Sequence, residues 1–169
     1  MGCGLHSARR TKGTVRMKRL LGLLVPLAGV ALPVNAMASS VPSATQVIQA
    51  LIAKRLPARL TIAYTAATDP THLLGRPNGY TSKANFSDRR ISTSETPASA
   101  IDLGGSVEVY RSSGAAVTRV RAIQTLDKAD PLLGSEYDYL NGPVLVRVSG
   151  YLAPNQAKAY QEALAKLRV

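Results

Sequence analysis

The spacing of apolar residues divides the chain into a few well-marked segments. Val47, Ile48, Leu51, Ile52 and Leu56 recur at helical intervals, which predicts an amphipathic helix over residues 44–56. Ser43 and Gln46 stand at the S-x-x-Q positions of a capping box, and Pro57 stops the run. Residues 60–65, LTIAYT, alternate weakly and read as a short strand. Residues 80–88 alternate Tyr80, Ser82, Ala84 and Phe86 against Thr81, Lys83, Asn85 and Ser87, the period of a half-buried strand.

Residues 69–79, DPTHLLGRPNG, are dense in turn-forming residues. Asp69-Pro70 favours an extended residue and then a turn. Residues 71–74 are expected to make one helical turn that buries Leu73 and Leu74, with Gly75 as a left-handed exit. Pro77-Asn78-Gly79 has the chemistry of a second turn, in which Asn-Gly tolerates positive φ. This stretch is therefore read as a structural connection that launches a strand, with a binding role left open. Residues 91–102 are polar and loop-like.

A strand-then-helix unit then occurs twice. GGSVEVY leads into SSGAAVTRVRAIQTLDK, and GPVLVRVS leads into GYLAPNQAKAYQEALAKL, where Pro154 suits the first helical position. Between them, residues 135–142 read as a strand entering an Asn-Gly hairpin turn. Helices can cover one face of a small, mainly antiparallel sheet, so the expected fold class is α+β, a two-layer sandwich with helices packed on one face. The strand-strand-helix repetition resembles a ferredoxin-like arrangement by topology alone.

The leader changes where this domain is expected to work. Residues 17–38 carry Lys18 and Arg19, then the apolar LLGLLVPLAGVALPV, then NAMA, the order of a signal peptide cleaved after Ala36 or Ala38. Met17 is a second candidate start, which would make residues 1–16 an upstream extension. Residues 39–169, roughly 130 in number, then form a single secreted globular domain that does not span a membrane. The only cysteine is Cys3, so this domain folds without a disulfide.

Of the formal +11, six positive charges (Arg9, Arg10, Lys12, Arg16, Lys18, Arg19) belong to the leader, leaving +5. Lys54-Arg55 and Arg89-Arg90 read as isolated doublets rather than a basic stripe, which argues against a nucleic-acid partner. His72 is the only histidine after the leader, and no G-x-S-x-G elbow accompanies it. One histidine and no cysteine make zinc improbable, and no calcium-loop pattern occurs, so neither a metal nor a cofactor is expected. The glycines of GGSVEVY precede a strand instead of opening a helix, the reverse of a dinucleotide-binding turn.

DPTHLLGRPNGYTSKANFSD, GGSVEVY, EYDYLNGPVLVRVS and LAPNQAKAYQEAL together resemble a family of small uncharacterised exported proteins of Gram-positive bacteria, many of which look like lipoproteins. The leader lacks the lipid-bearing cysteine of such proteins, and the resemblance implies no reaction and no catalytic residues.

Two functional readings follow. In the first, the domain is a non-enzymatic binding module that recognises a protein, a peptide or an envelope polymer. Its polar sheet face and adjacent loop then supply Arg76, Asn78, Tyr80, Lys83, Glu108 and Arg147, with Asn85 beside Lys83. Glu108 and Arg147 alternate with valines and are expected on the face turned away from the helices. In the alternative, Glu136, Asp138 and Asp69 supply the carboxylates of a hydrolase.

Overall fold

Helix α1, Ala44–Ala53, starts where its cap was expected: Gln46 N–H donates to Ser43 Oγ, and Ser43 N–H donates to Gln46 Oε1. The fold is described from a computed structural model, which describes residues 40–92, 100–129 and 136–169. The signal-peptide reading, the extension over 1–16 and residues 93–99 of the expected loop lie outside the described residues.

The strands are β1 (Ala58–Ala63), β2 (Ser82–Asp88), β3 (Gly104–Val109), β4 (Glu136–Asn141) and β5 (Val144–Ser149), with α2 (Ser113–Ala129) and α3 (Pro154–Ala165). They form one sheet in the order β1-β2-β3-β5-β4, and every neighbouring pair is antiparallel. This is the α+β class that the periodicities predict, with α1 and α3 together on one face of the antiparallel sheet. β1 lies two residues earlier than LTIAYT suggests and carries a bulge between Leu60 and Ile62. Gly142 takes φ +54 in the β4–β5 hairpin, as the Asn-Gly pair requires. Asn141 adds a second role there, donating from Nδ2 to the Leu164 and Leu167 carbonyls at the end of α3.

β5 lies between β3 and β4, so β3-α2-β4 is a split β-α-β unit of the kind a ferredoxin-like sheet repeats. The second unit is not closed, because β2 takes the place beside β3 and the chain goes on from β5 into α3.

One sheet face is apolar. Ala84, Phe86, Val107, Val109, Val144, Val146 and Val148 form a core with Val47, Ile48 and Leu51 of α1 and Ala157, Tyr160 and Leu164 of α3. Each fully buried large apolar side chain contributes about 1.5–3 kcal/mol, so this layer supplies most of the drive to fold. Phe86 stacks on Tyr160 with centroids 5.2 Å apart. Tyr160 also donates to the buried Asp88, at 2.6 Å. α2 lies against the other face: Ala116, Val120 and Ile123 pack with Leu145, Tyr80 and Tyr110, while Leu73 and Leu74 close that cluster from the β1–β2 connection.

Candidate functional site

Strand alternation places Lys83, Asn85, Ser106, Glu108, Leu145, Arg147, Glu136 and Asp138 on the face opposite Phe86 and Val107. The sequence reading expected this face to be solvated and away from the helices. Instead α2 and the β1–β2 connection cover much of it: Glu108 is fully buried, and Lys83 is 8% exposed. Charged groups at such depth persist only when paired and hydrogen-bonded.

Glu108 is the centre of one network. It accepts from Tyr110 Oη at 2.6 Å and Arg119 Nε at 3.3 Å through one oxygen, and from Arg147 Nη1 at 3.5 Å through the other. Arg147 also grips Glu136, with Nε and Nη2 at 2.9 and 2.7 Å from Oε1. Asp138 is the cross-strand neighbour of Arg147, yet its Oδ1 is buried without a partner. Burial first, and then the nearby Glu136, push its carboxyl up to about 7. Burial likewise raises Glu136, against the pull of Arg147.

Asp69 is the centre of the second network. Its carboxylate accepts from Leu73 and Leu74 N–H at 2.8 and 3.0 Å, from Thr71 Oγ1, from Tyr80 Oη at 2.6 Å and from Lys83 Nζ at 3.3 Å. Burial alone would raise this carboxyl, but the hydrogen bonds of Tyr80, Leu74 and Leu73 together with Lys83 hold it well below the usual carboxylate range. Burial and the bond to Asp69 push the Tyr80 hydroxyl up. The expected helical turn over 71–74 does not form, because Asp69 gathers these N–H groups into an irregular turn in which His72 takes φ +53. Gly75 has φ +80, as expected. Gly79 does not have positive φ; it is needed because any Cβ there would collide with the Leu73 carbonyl.

Between the two networks lies a cavity of about 310 Å³. Its lining includes Lys83, Asn85, Ser106 and Arg147 from the sheet, Arg119, Ile123 and Asp127 from α2, and Tyr64 and Thr71 from the β1–β2 connection. Lys83 sits beside two rings, 5.0 Å from the centroid of Tyr64 and 5.1 Å from that of Tyr80. Asn85 is 3% exposed; its Nδ2 donates to Tyr64 Oη at 2.8 Å, while its Oδ1 is buried with no partner.

Of the six residues singled out in the sequence, Lys83 and Arg147 line this cavity, and Tyr80 and Glu108 are buried beneath it as their partners. Arg76 and Asn78 are exposed on the connection and are not among the lining residues. Glu136 lines the cavity and shares a β4 face with Asp138, whereas Asp69 belongs to the other network. No protein-family model, curated protein or solved structure matches the chain.

Tyr64, Ser106 and Arg119 escaped the sequence reading, and Asp127 was weighed there only as a calcium ligand. A signal for Arg119 was present, since Arg119, Ile123 and Asp127 recur four residues apart and share one side of α2. Ser106 alternates with Val107 as Asn85 does with Phe86. Among the described residues, no cluster of three or more metal-ligating side chains occurs, and no helix is long and apolar enough to cross a membrane.

Proposed function

We propose that the chain is an exported binding domain whose ligand enters the cavity on the polar sheet face. The ligand class is a peptide segment or a repeat unit of an envelope polymer bearing amide and hydroxyl groups. The observation that carries this reading is the preformed state of the lining: Lys83, Arg119 and Arg147 are each held by buried carboxylates, so little side-chain freedom is lost on binding. The Asn85 amide adds a polar atom lacking a partner, which an N–H or O–H of a ligand satisfies. Arg76 and Asn78 then extend the contact along the adjacent loop.

Ligand-observed NMR on the full chain, with short peptides and glycan fragments from a Gram-positive envelope as probes, tests this reading. Asn85→Leu should abolish the transferred signal while leaving the melting curve intact. Unchanged binding by that variant would move the ligand elsewhere. A measured turnover lost in Asp138→Asn at unchanged stability would favour the hydrolase reading instead.

A further inference from the structure

The fold brings together two basic segments that are 34 positions apart in the sequence numbering. β1 pairs antiparallel with β2, placing Ala58 opposite Asp88 and Arg59 opposite Ser87, and Arg89 N–H donates to the Pro57 carbonyl at 3.1 Å. Lys54, Arg55, Arg89 and Arg90 therefore lie near the end of α1, at one corner of the domain. Arg59 lies beside them at the start of β1, on the sheet face turned away from α1, and all five are exposed. Arg90 is engaged by Asp88, the acid of this corner, whose side chain is buried and also holds Tyr160. Lys54, Arg55, Arg59 and Arg89 make no ion pair among the described residues. They are uncompensated.

Arg55 supplies a second observation. It follows the helix cap Lys54 with φ +67, the place and conformation in which helices ordinarily carry glycine. An arginine there carries a conformational cost that a glycine would not, and it adds a cation to the corner.

We propose that this corner is a docking surface for an extended polyanion, a polymer with closely spaced phosphate groups. The cations are exposed, and they come from a helix end, a strand and a strand exit rather than from one closed pocket, so the surface fits a line of charges and not a single small anion. Among the described residues, the exposed large apolar side chains are Val41, Ile62, Leu103, Leu126, Leu140 and Tyr151. Ile62 shares β1 with Arg59 and none belongs to the Lys54–Arg55 or Arg89–Arg90 segments, so a single isoleucine is the apolar surface nearest the charge, too little to anchor a bilayer. Among the described residues, the aromatic ring beside this corner, Tyr160, is fully buried and not offered for stacking on bases.

The test is binding of the full chain to fluorescently labelled inorganic polyphosphate, read by anisotropy over a salt titration. Lys54→Ala, Arg55→Gly, Arg59→Ala and Arg89→Ala combined should weaken binding by about tenfold or more and flatten the salt slope by roughly one per cation removed. The glycine at 55 fits its backbone, so the melting temperature should not fall. A control lacking Lys158, Lys166 and Arg168 should bind like the parent. Equal losses in both variants would reduce the effect to net charge and overturn the proposal. So would tighter binding to anionic vesicles or to a single-stranded oligonucleotide than to polyphosphate of matched charge.

Discussion

On one side of β3, Val107 and Val109 join Phe86, Val146 and the helices α1 and α3; on the other side Glu108, one residue away, meets Arg119, Arg147 and Tyr110. Both sides are dry at this point, since all three strand residues are 2% exposed or less. The apolar side gains from any well-shaped hydrocarbon, and its cost of error grades with the volume removed. The charged side gains little net energy from its pairs but loses heavily when one partner goes missing. Burial depth alone therefore does not say what a residue contributes.

The largest expected effect tests that contrast directly. Glu108→Ala leaves Arg119, Arg147 and Tyr110 facing a void and should cost about 3–5 kcal/mol in urea unfolding, comparable with Phe86→Ala on the apolar side. A cost below about 1 kcal/mol would mean that the polar face is solvated in practice.

The connection that covers the polar face comes next. Gly79→Val forces the backbone away from Leu73 and should cost more than Gly75→Val, which strains one dihedral by about 1 kcal/mol in otherwise open space. The reverse order in thermal melts would show that dihedral freedom, not close approach, limits this loop.

The smallest effect is a pH dependence. The Asp138 carboxyl titrates near 7 in the folded chain, against an ordinary value of 3.8. It faces Glu136, Arg147, Asp127 and Glu108. Folding is helped by its retained proton at low pH, and that help is lost as pH rises through about 7. Asp69 and Asp88, held low, act in the opposite sense: their contribution is present above the ordinary carboxylate range and is lost as pH falls below it. Asp138→Asn should therefore lessen the decline in stability between about pH 4 and 7, to which the raised Glu136 also contributes, while leaving the acid limb. An unchanged decline would place the titrating group elsewhere.

The apolar side was legible from the sequence because its signal is local. Val144, Val146 and Val148 alternate, and α1 and α3 repeat at helical spacing, so neighbours within one segment name the buried face. The polar side depends on what covers it, which is a non-local fact. Lys83, Glu108 and Arg147 were correctly assigned to one face by alternation, but nothing in GGSVEVY says that Arg119, eleven residues on, folds back over Glu108. Asp69 misled in a similar way: its sequence neighbours suggest a helical turn, whereas its partners Tyr80 and Lys83 lie 11 and 14 residues away. The two basic doublets looked isolated for the same reason, until strand pairing joined them.

The Glu108 network also bears on how the sheet finds its pairing. A slip of β3 by one residue would turn Glu108 into the layer of Phe86 and Val146 and set Val107 against Arg147, stranding both charges. Valine-rich strands such as β3 and β5 tolerate misalignment well, because one valine fits almost where the next did. The chain's one cysteine, Cys3, leaves it without an internal disulfide to reject such alignments covalently. A single buried acid among valines acts as a proofreading mark, which makes a sheet misaligned by one residue unfavourable.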